Sequence, residues 1–276
     1  MILRYFNYTH ILTLLAAALF VAVLYFALRN RSAFAKEVTL YILMGFNVTQ
    51  HFYKSLFWPH LWGTKFGIIN TAYNVCAITI LATPFVFVGK NSLLKQFVSY
   101  VGTIGPVLTL LTPYWFIGTT IFQWEYVRSW TCHTLLIATS LLPALWGMIK
   151  FDYRDGWKFG LLFLAMQSFI LTNDVMFLLA FGDATTETLY SALLAQNPLW
   201  MISPKGSEGV KKIFEALSPA IFLETETHPY IPILWYAIPA YLFITIIGYG
   251  LGFAIDRKKL LGSKKTLLKP KIGVTF

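Results

Sequence analysis

Charged side chains are scarce in this chain. They make up 12% of its 276 residues, about half the share usual in a soluble domain, which argues for a membrane protein. Cysteine is nearly absent too. Cys76 and Cys132 are the only two, and neither belongs to a CxxC metal or redox motif. No HExxH-like spacing of histidines occurs, so the helix-borne zinc pattern is missing. There is no internal repeat and no low-complexity tract. The lack of inverted repeats and of paired broken helices argues against a carrier of the alternating-access kind.

What is abundant is apolar surface: 57% of residues are hydrophobic and 17% aromatic. Apolar stretches lie at 9–29, 37–58, 66–89, 96–118, 129–149, 157–181 and 230–254. Each is near the roughly 20 residues that cross hydrocarbon as a helix. Runs such as ILTLLAAALFVAVLYFALR are too long and too uniformly apolar for the strands of about 10 residues in a membrane barrel. A helix also satisfies every backbone N–H and C=O within its own segment. The expected fold is all-α, a polytopic membrane protein with seven transmembrane helices. The first stretch exceeds a signal-peptide core and lacks a basic start with a small-residue cleavage site. It is therefore expected to remain as a helix of the mature chain.

The net charge of +10 invites a nucleic-acid reading, but the basic residues are distributed as topology. Arg29, Arg31, Lys36, Lys90, Lys95, Lys150, Arg154, Lys158 and the tail beginning at Arg257 fall in segments that share one side. The positive-inside rule makes that side cytoplasmic, with the N-terminus outside and the C-terminus inside. Residues 1–254 are then one seven-helix domain with a long outer loop, 182–229, and residues 255–276 form a basic cytoplasmic tail. The expected location is the cell membrane, multi-pass. Membrane lipids are the expected partners, nucleic acid is not, and any protein partner is unassigned. Within the long loop, residues 189–203 are apolar but too short to span. Residues 209–217 set Lys211 and Lys212 against Ile213, Phe214 and Leu217, the pattern of a short interfacial helix. A lid over an outer cavity and a structural cap both fit that pattern.

The polar residues inside the spans carry the functional signal. At about 1.5 Å per residue, His51, Cys76, His133, Asn173 and Asp174 fall in the same outer half of the bilayer, and intramembrane ionisable groups are functional candidates by default. Cys76, His133 and Asp174 have the chemistry of nucleophile, base and orienting carboxylate. A thiol needs a base or a lowered pKa to become thiolate, and histidine is suited to proton transfer near neutral pH. Structural readings stand beside this one. A cysteine in a span packs as a small hydrophobe, and His133 can simply bond a facing carbonyl. His51 can be a core histidine, Asp174 can pair with Arg128, and Cys76 and Cys132 can form a disulfide. His10, His60 and His228 sit at span ends, where interfacial positions are expected.

Several local motifs converge on a known family. Asn74-Val75-Cys76 is a polar-x-Cys signature, and YVGTIGPVLTLLTP is a glycine-containing stretch ending at Thr112-Pro113. SWTCH ends at His133, and Tyr153-Arg154-Asp155-Gly156-Trp157-Lys158 fits a YR-x-x-WK motif. Asn173 precedes Met176-Phe177-Leu178, and Pro198-Leu199-Trp200 lies in the last loop. In these features the chain resembles the YwaF-like family of bacterial seven-helix membrane proteins over residues 70–205. That family is distantly similar to an animal transmembrane acyltransferase of ether phospholipids. Ala72, Pro106 and the additional Asp174 depart from its pattern. The resemblance implies Cys76 and His133 as catalytic residues and weakens the case for Asp174; with the depth reading, Asn74, Asn173 and Asp174 are expected around that pair. No metal or other cofactor is expected. Two function classes remain open: a lipid-modifying acyltransferase, and a non-enzymatic carrier or subunit of a membrane complex.

Overall fold

The computed structural model describes residues 1–57, 74–113, 116–181, 185, 187–196, 202, 208–226 and 228–267, with 51–57, 153, 195–196, 208–210 and 251–267 described by their backbone alone. Nine α-helices lie among the described residues: α1 (Tyr8–Leu28), α2 (Ala33–Phe57), α3 (Val75–Val88), α4 (Ser92–Leu111), α5 (Trp124–Leu145), α6 (Gly156–Phe181), α7 (Leu189–Gln196), α8 (Glu208–Leu217) and α9 (Leu234–Leu267). Each apolar stretch of the sequence overlaps one of the longer helices, and α7 and α8 lie in the long loop.

Among the described residues, length and composition single out three helices that can cross a membrane: α1, α4 and residues Gly156–Ala180 of α6. The other long helices fall short for identifiable reasons. α3 has 14 residues; in α9 the apolar sequence runs on past Leu234–Gly250 through Leu251-Gly252-Phe253-Ala254, beyond the residues described with their side chains. α2 carries Lys36, Glu37, Asn47 and Gln50, and α5 carries Glu125 and Arg128 with several threonines and serines. The third apolar stretch was expected to begin at residue 66. The described helix begins at Val75, and residues 58–73 lie outside the described set. α9 runs on to Leu267 through the first part of the basic tail, where leucine and lysine are good helix formers and the next proline is Pro270.

Three asparagines set helix starts. The Oδ1 atoms of Asn7, Asn74 and Asn91 accept the backbone N–H groups of His10, Ala77 and Leu94 at 2.9, 2.8 and 3.1 Å. Each satisfies a donor that the first helical turn leaves unpaired. α5 lies at the centre and packs on α1, α2, α3 and α4, while α6 packs mainly on α9. The helix ends alternate. At one end the N-terminal segment is tied to the connection between α4 and α5: Leu3 N–H donates to the Thr119 carbonyl at 2.8 Å and Gly118 N–H to the Leu3 carbonyl at 2.9 Å. His10 belongs to this end and is packed between the helices. It is 1% exposed; Nδ1 accepts the Phe6 N–H at 3.1 Å, so Nε2 carries the proton and donates to the Leu110 carbonyl at 2.8 Å. That carbonyl lies in the last turn of α4, where intrahelical donors run out.

The opposite end is closed by Gln96 and Asp155. Buried Gln96 accepts the Asp152 N–H at 2.9 Å and donates to Asp155 Oδ2 at 3.2 Å, and Asp155 Oδ1 holds Lys158 Nζ at 2.6 Å. The YR-x-x-WK motif is therefore a structural clasp between α4 and α6. Lys36 Nζ lies 5.7 Å from the Trp146 ring at the same end, joining the start of α2 to the end of α5.

Close helix approach depends on two glycines. A Cβ on Gly102 would lie 2.1 Å from Ser140 Oγ, and one on Gly160 would lie 2.4 Å from Tyr241 Cδ2. Small residues of this kind let membrane helices come together. α8 is firmly docked: the Phe214 and Trp235 rings are 6.2 Å apart, the Ser218 hydroxyl donates to the Trp235 carbonyl, and the Tyr230 hydroxyl donates to Glu215. Ile213, Leu217 and Ile221 face outward from this segment.

These contacts predict a contrast between two glycines. Gly102→Val should destabilise the purified protein by about 1–3 kcal/mol through overpacking. Gly45→Ala, where nothing lies within 4 Å of the added carbon, should be neutral or stabilising by up to about 1 kcal/mol. Unfolding in detergent, followed by far-ultraviolet circular dichroism, checks both.

Candidate functional site

The candidate site is built where α2, α3, α4 and α5 meet. Asn74 adopts extended backbone angles, φ −150° and ψ 167°, and caps α3. Cys76 therefore sits in the first helical turn, less than one turn from the helix start. The Thr109 hydroxyl on α4 donates to the Gly105 carbonyl at 3.0 Å. Gly105, one turn before Thr109, brings no side chain toward the sulphur; a Cβ there would lie 3.6 Å from Sγ. On its α5 side, Cys76 packs against a cluster of Ile80, Cys132 and Leu136.

Cys132 links this cluster to α2. Its thiol donates to Gln50 Oε1 at 3.3 Å, and its carbonyl accepts Asn47 Nδ2 at 3.1 Å. Asn47 and Gln50 are three residues apart and so share a face of α2. Both are buried, at 1% and 8% exposure. Each retains one polar atom without a partner among the described residues: Oδ1 of Asn47 and Nε2 of Gln50. The two cysteines are not joined by a disulfide.

His133 follows Cys132 in α5 and is half-buried. Its Nδ1 lies 2.6 Å from the Ser129 carbonyl, with Ser129 Oγ at 3.3 Å. A carbonyl can only accept, so Nδ1 carries the proton and Nε2 has the free lone pair of the neutral ring. No hydrogen bond joins His133 to Cys76 among the described residues.

The remaining sequence candidates are dispersed. Asn74 is engaged as a helix cap, and Asn173 is half-buried on α6. Asp174 is 4% exposed on α6 with Oδ2 unpartnered among the described residues, and Gln167 Oε1, seven residues earlier on the same stripe, is likewise unpartnered. Asp174 makes no hydrogen bond to His133 or Cys76 among the described residues. The side chain of His51 and residues Pro198-Leu199-Trp200 lie outside the described set. Sequence reasoning missed Asn47 and Gln50. The spacing of two amides at i and i+3 within an apolar stretch was the available signal for both.

An all-α chain with apolar spanning helices and a cluster of polar side chains between them is a membrane protein. A family model matches residues 5–209, three quarters of the chain, and on that match the chain belongs to the TMEM164 family. No curated protein and no solved structure matches it.

The cap that places Cys76 is open to a direct check. Asn74→Ala should cost about 0.5–2 kcal/mol of stability, whereas Asn74→Asp, which keeps an acceptor at the cap, should cost much less. Equal losses for the two in thermal unfolding would show that capping is not what Asn74 contributes.

Proposed function

We propose that the protein is a lipid-modifying acyltransferase of the cell membrane, with Cys76 as nucleophile and His133 as base. The observation that carries this reading is the position of Cys76 in the first turn of α3. The N–H groups and dipole at a helix N-terminus favour an anion, and cysteines so placed are favoured as thiolates. His133 supports it by tautomer, because its free lone pair is on Nε2, the atom not committed to Ser129.

The step follows from those two groups. The Cys76 thiol gives its proton to His133 Nε2, and the sulphur pair attacks the ester carbonyl of a phospholipid. The carbonyl π pair moves onto oxygen. On collapse the ester C–O bond breaks, and the departing lysolipid alkoxide takes the proton from His133. The thioester left on Cys76 is then attacked by a hydroxyl of an acceptor lipid, with His133 taking and returning the proton in the same order.

In this reading the chain crosses the membrane seven times, N-terminus outside and C-terminus cytoplasmic, and its nearer kin are the YwaF-like bacterial proteins. The basic loops support that orientation, as does the alternation of helix ends. Asn74, Asn173 and Asp174 support the site from around it. The docked α8 rests on the outer membrane face as a cap. A second reading, a non-enzymatic membrane module, is favoured by one observation, the absence of a hydrogen bond between Cys76 and His133.

Three measurements test the proposal. With purified protein in phospholipid nanodiscs, Cys76→Ser and His133→Ala should each abolish acyl exchange while leaving the melting profile close to wild type. The double variant should be scarcely worse than either single one, because members of a catalytic unit are not additive. Exchange retained in Cys76→Ala would overturn Cys76 as the nucleophile, and no exchange by the wild-type protein would favour the non-enzymatic reading. A C-terminal tag should be protected in intact cells, and its labelling from outside would overturn the topology. A fluorophore placed at Ile213 should be quenched by lipids brominated near the headgroup end of the chain, and quenching only by a water-soluble agent would remove α8 from the membrane face.

A further inference from the structure

We infer that Gln50 is the oxyanion donor of this site, its side-chain N–H groups receiving the negative oxygen formed when Cys76 attacks an ester carbonyl. The inference rests on the acyl-transfer reading and adds a catalytic residue to it. Three observations lead to Gln50. The first is its unused donor: the side chain is 92% buried, and Nε2 has no hydrogen-bond partner among the described residues. A buried amide with free N–H groups is costly in apolar surroundings, so its retention calls for a partner that comes and goes.

The second is orientation. Gln50 Oε1 accepts the Cys132 thiol at 3.3 Å, which leaves Nε2 as the unpartnered end of the amide among the described residues. Asn47, one turn earlier on the same face, donates to the Cys132 carbonyl at 3.1 Å and holds α2 against α5. The amide is therefore fixed before any substrate arrives, as oxyanion stabilisation requires. The third is proximity by contact. Cys132, the residue that Gln50 grips, belongs to the cluster on which Cys76 packs. An ester carbonyl bonded to Cys76 Sγ forms beside the same cluster, and in low dielectric surroundings a fixed N–H donor there stabilises the transition state far more than water would.

The charge accounting defines the role. His133 takes the thiol proton, the sulphur pair makes the new C–S bond, and the π pair becomes the oxyanion. The Thr109 hydroxyl donates to the Gly105 carbonyl at 3.0 Å and is thereby occupied.

The test uses the full chain in nanodiscs of dioleoyl phosphatidylcholine, with lysophosphatidylethanolamine as acceptor, reading both acyl exchange and the acyl thioester on Cys76 by mass spectrometry. Gln50→Met keeps the length and loses the donors; kcat should fall about 10²–10³-fold, with KM for the acceptor within about twofold and thioester formation slowed in parallel. Gln50→Glu keeps an acceptor for Cys132 and also lacks the N–H groups, so it should be as slow if the methionine variant fails to fold. Cys132→Val breaks the thiol–amide bond but leaves the donor in place, and should lose less than tenfold. A folded Gln50→Met or Gln50→Glu within threefold of wild-type kcat would overturn the role of Gln50 while leaving the acyl-transfer reading intact. A wild-type protein that forms no thioester and exchanges no acyl chain would overturn both.

Discussion

Polar atoms set between apolar helices have no water to fall back on, and the whole arrangement follows from where each finds a partner. Most threonines solve the problem locally. Thr39, Thr79, Thr103, Thr109, Thr131 and Thr172 each donate to the carbonyl four residues back in their own helix. Such side chains are self-contained and say nothing about neighbours. The larger polar groups cannot do this, and they tie the helices together. His10 reaches the end of α4, Asn47 and Gln50 reach α5, the Trp130 indole donates to the Thr13 carbonyl at 3.0 Å, and the Tyr100 hydroxyl donates to the Ile244 carbonyl at 3.2 Å. With little hydrophobic force between helices in lipid, such bonds and close packing at small residues determine which faces meet.

α5 shows how these rules position chemistry. It is buried on successive residues from Thr134 to Ser140, so it is covered on every side rather than along one stripe. Its Cys132 faces α2 and α3, and its Ser140 fills the space that Gly102 leaves on α4. The Asn74 cap then fixes where α3 begins, and with it the depth of Cys76. A change in any of these three contacts moves the thiol relative to Gln50.

The helices were legible in the sequence because apolar length is a strong signal, and each of the seven stretches contains a helix among its described residues. Their boundaries and their standing as spans were less so. The start of α3 depends on one asparagine side chain, and apolar length alone does not mark a cap. α2 and α5 carry enough polar residues that length and composition alone do not make them spans, although the apolar stretches within them look continuous. Cys76 stood out as one of two cysteines, and His133 by its motif. Gln50 did not stand out, because an amide in a span is ordinary until its face and its partner are known. Gln50, Cys132 and Cys76 are separated widely along the chain, and only tertiary packing brings them into one cluster.

Asp174 illustrates the converse case, a residue conspicuous in sequence whose expected task is already performed by something else. In a nucleophile–base–acid triad the carboxylate holds the imidazole in the right tautomer and orientation. Here the Ser129 carbonyl does so, at 2.6 Å from His133 Nδ1, and it comes from the same helix one turn away. A backbone carbonyl orients the ring as a carboxylate would, without placing a second charge in hydrocarbon. In the proposed acyl transfer it would stabilise the imidazolium less, so more of the charge developing in the transition state would be met on the oxyanion side. A cysteine nucleophile suits that division, since a thiol needs less help from its base than a hydroxyl does. Asp174 shares its stripe with Gln167 on α6, which packs mainly on α9. The unpartnered oxygens of these two residues mark a polar feature distinct from the cluster formed by α2, α3 and α5.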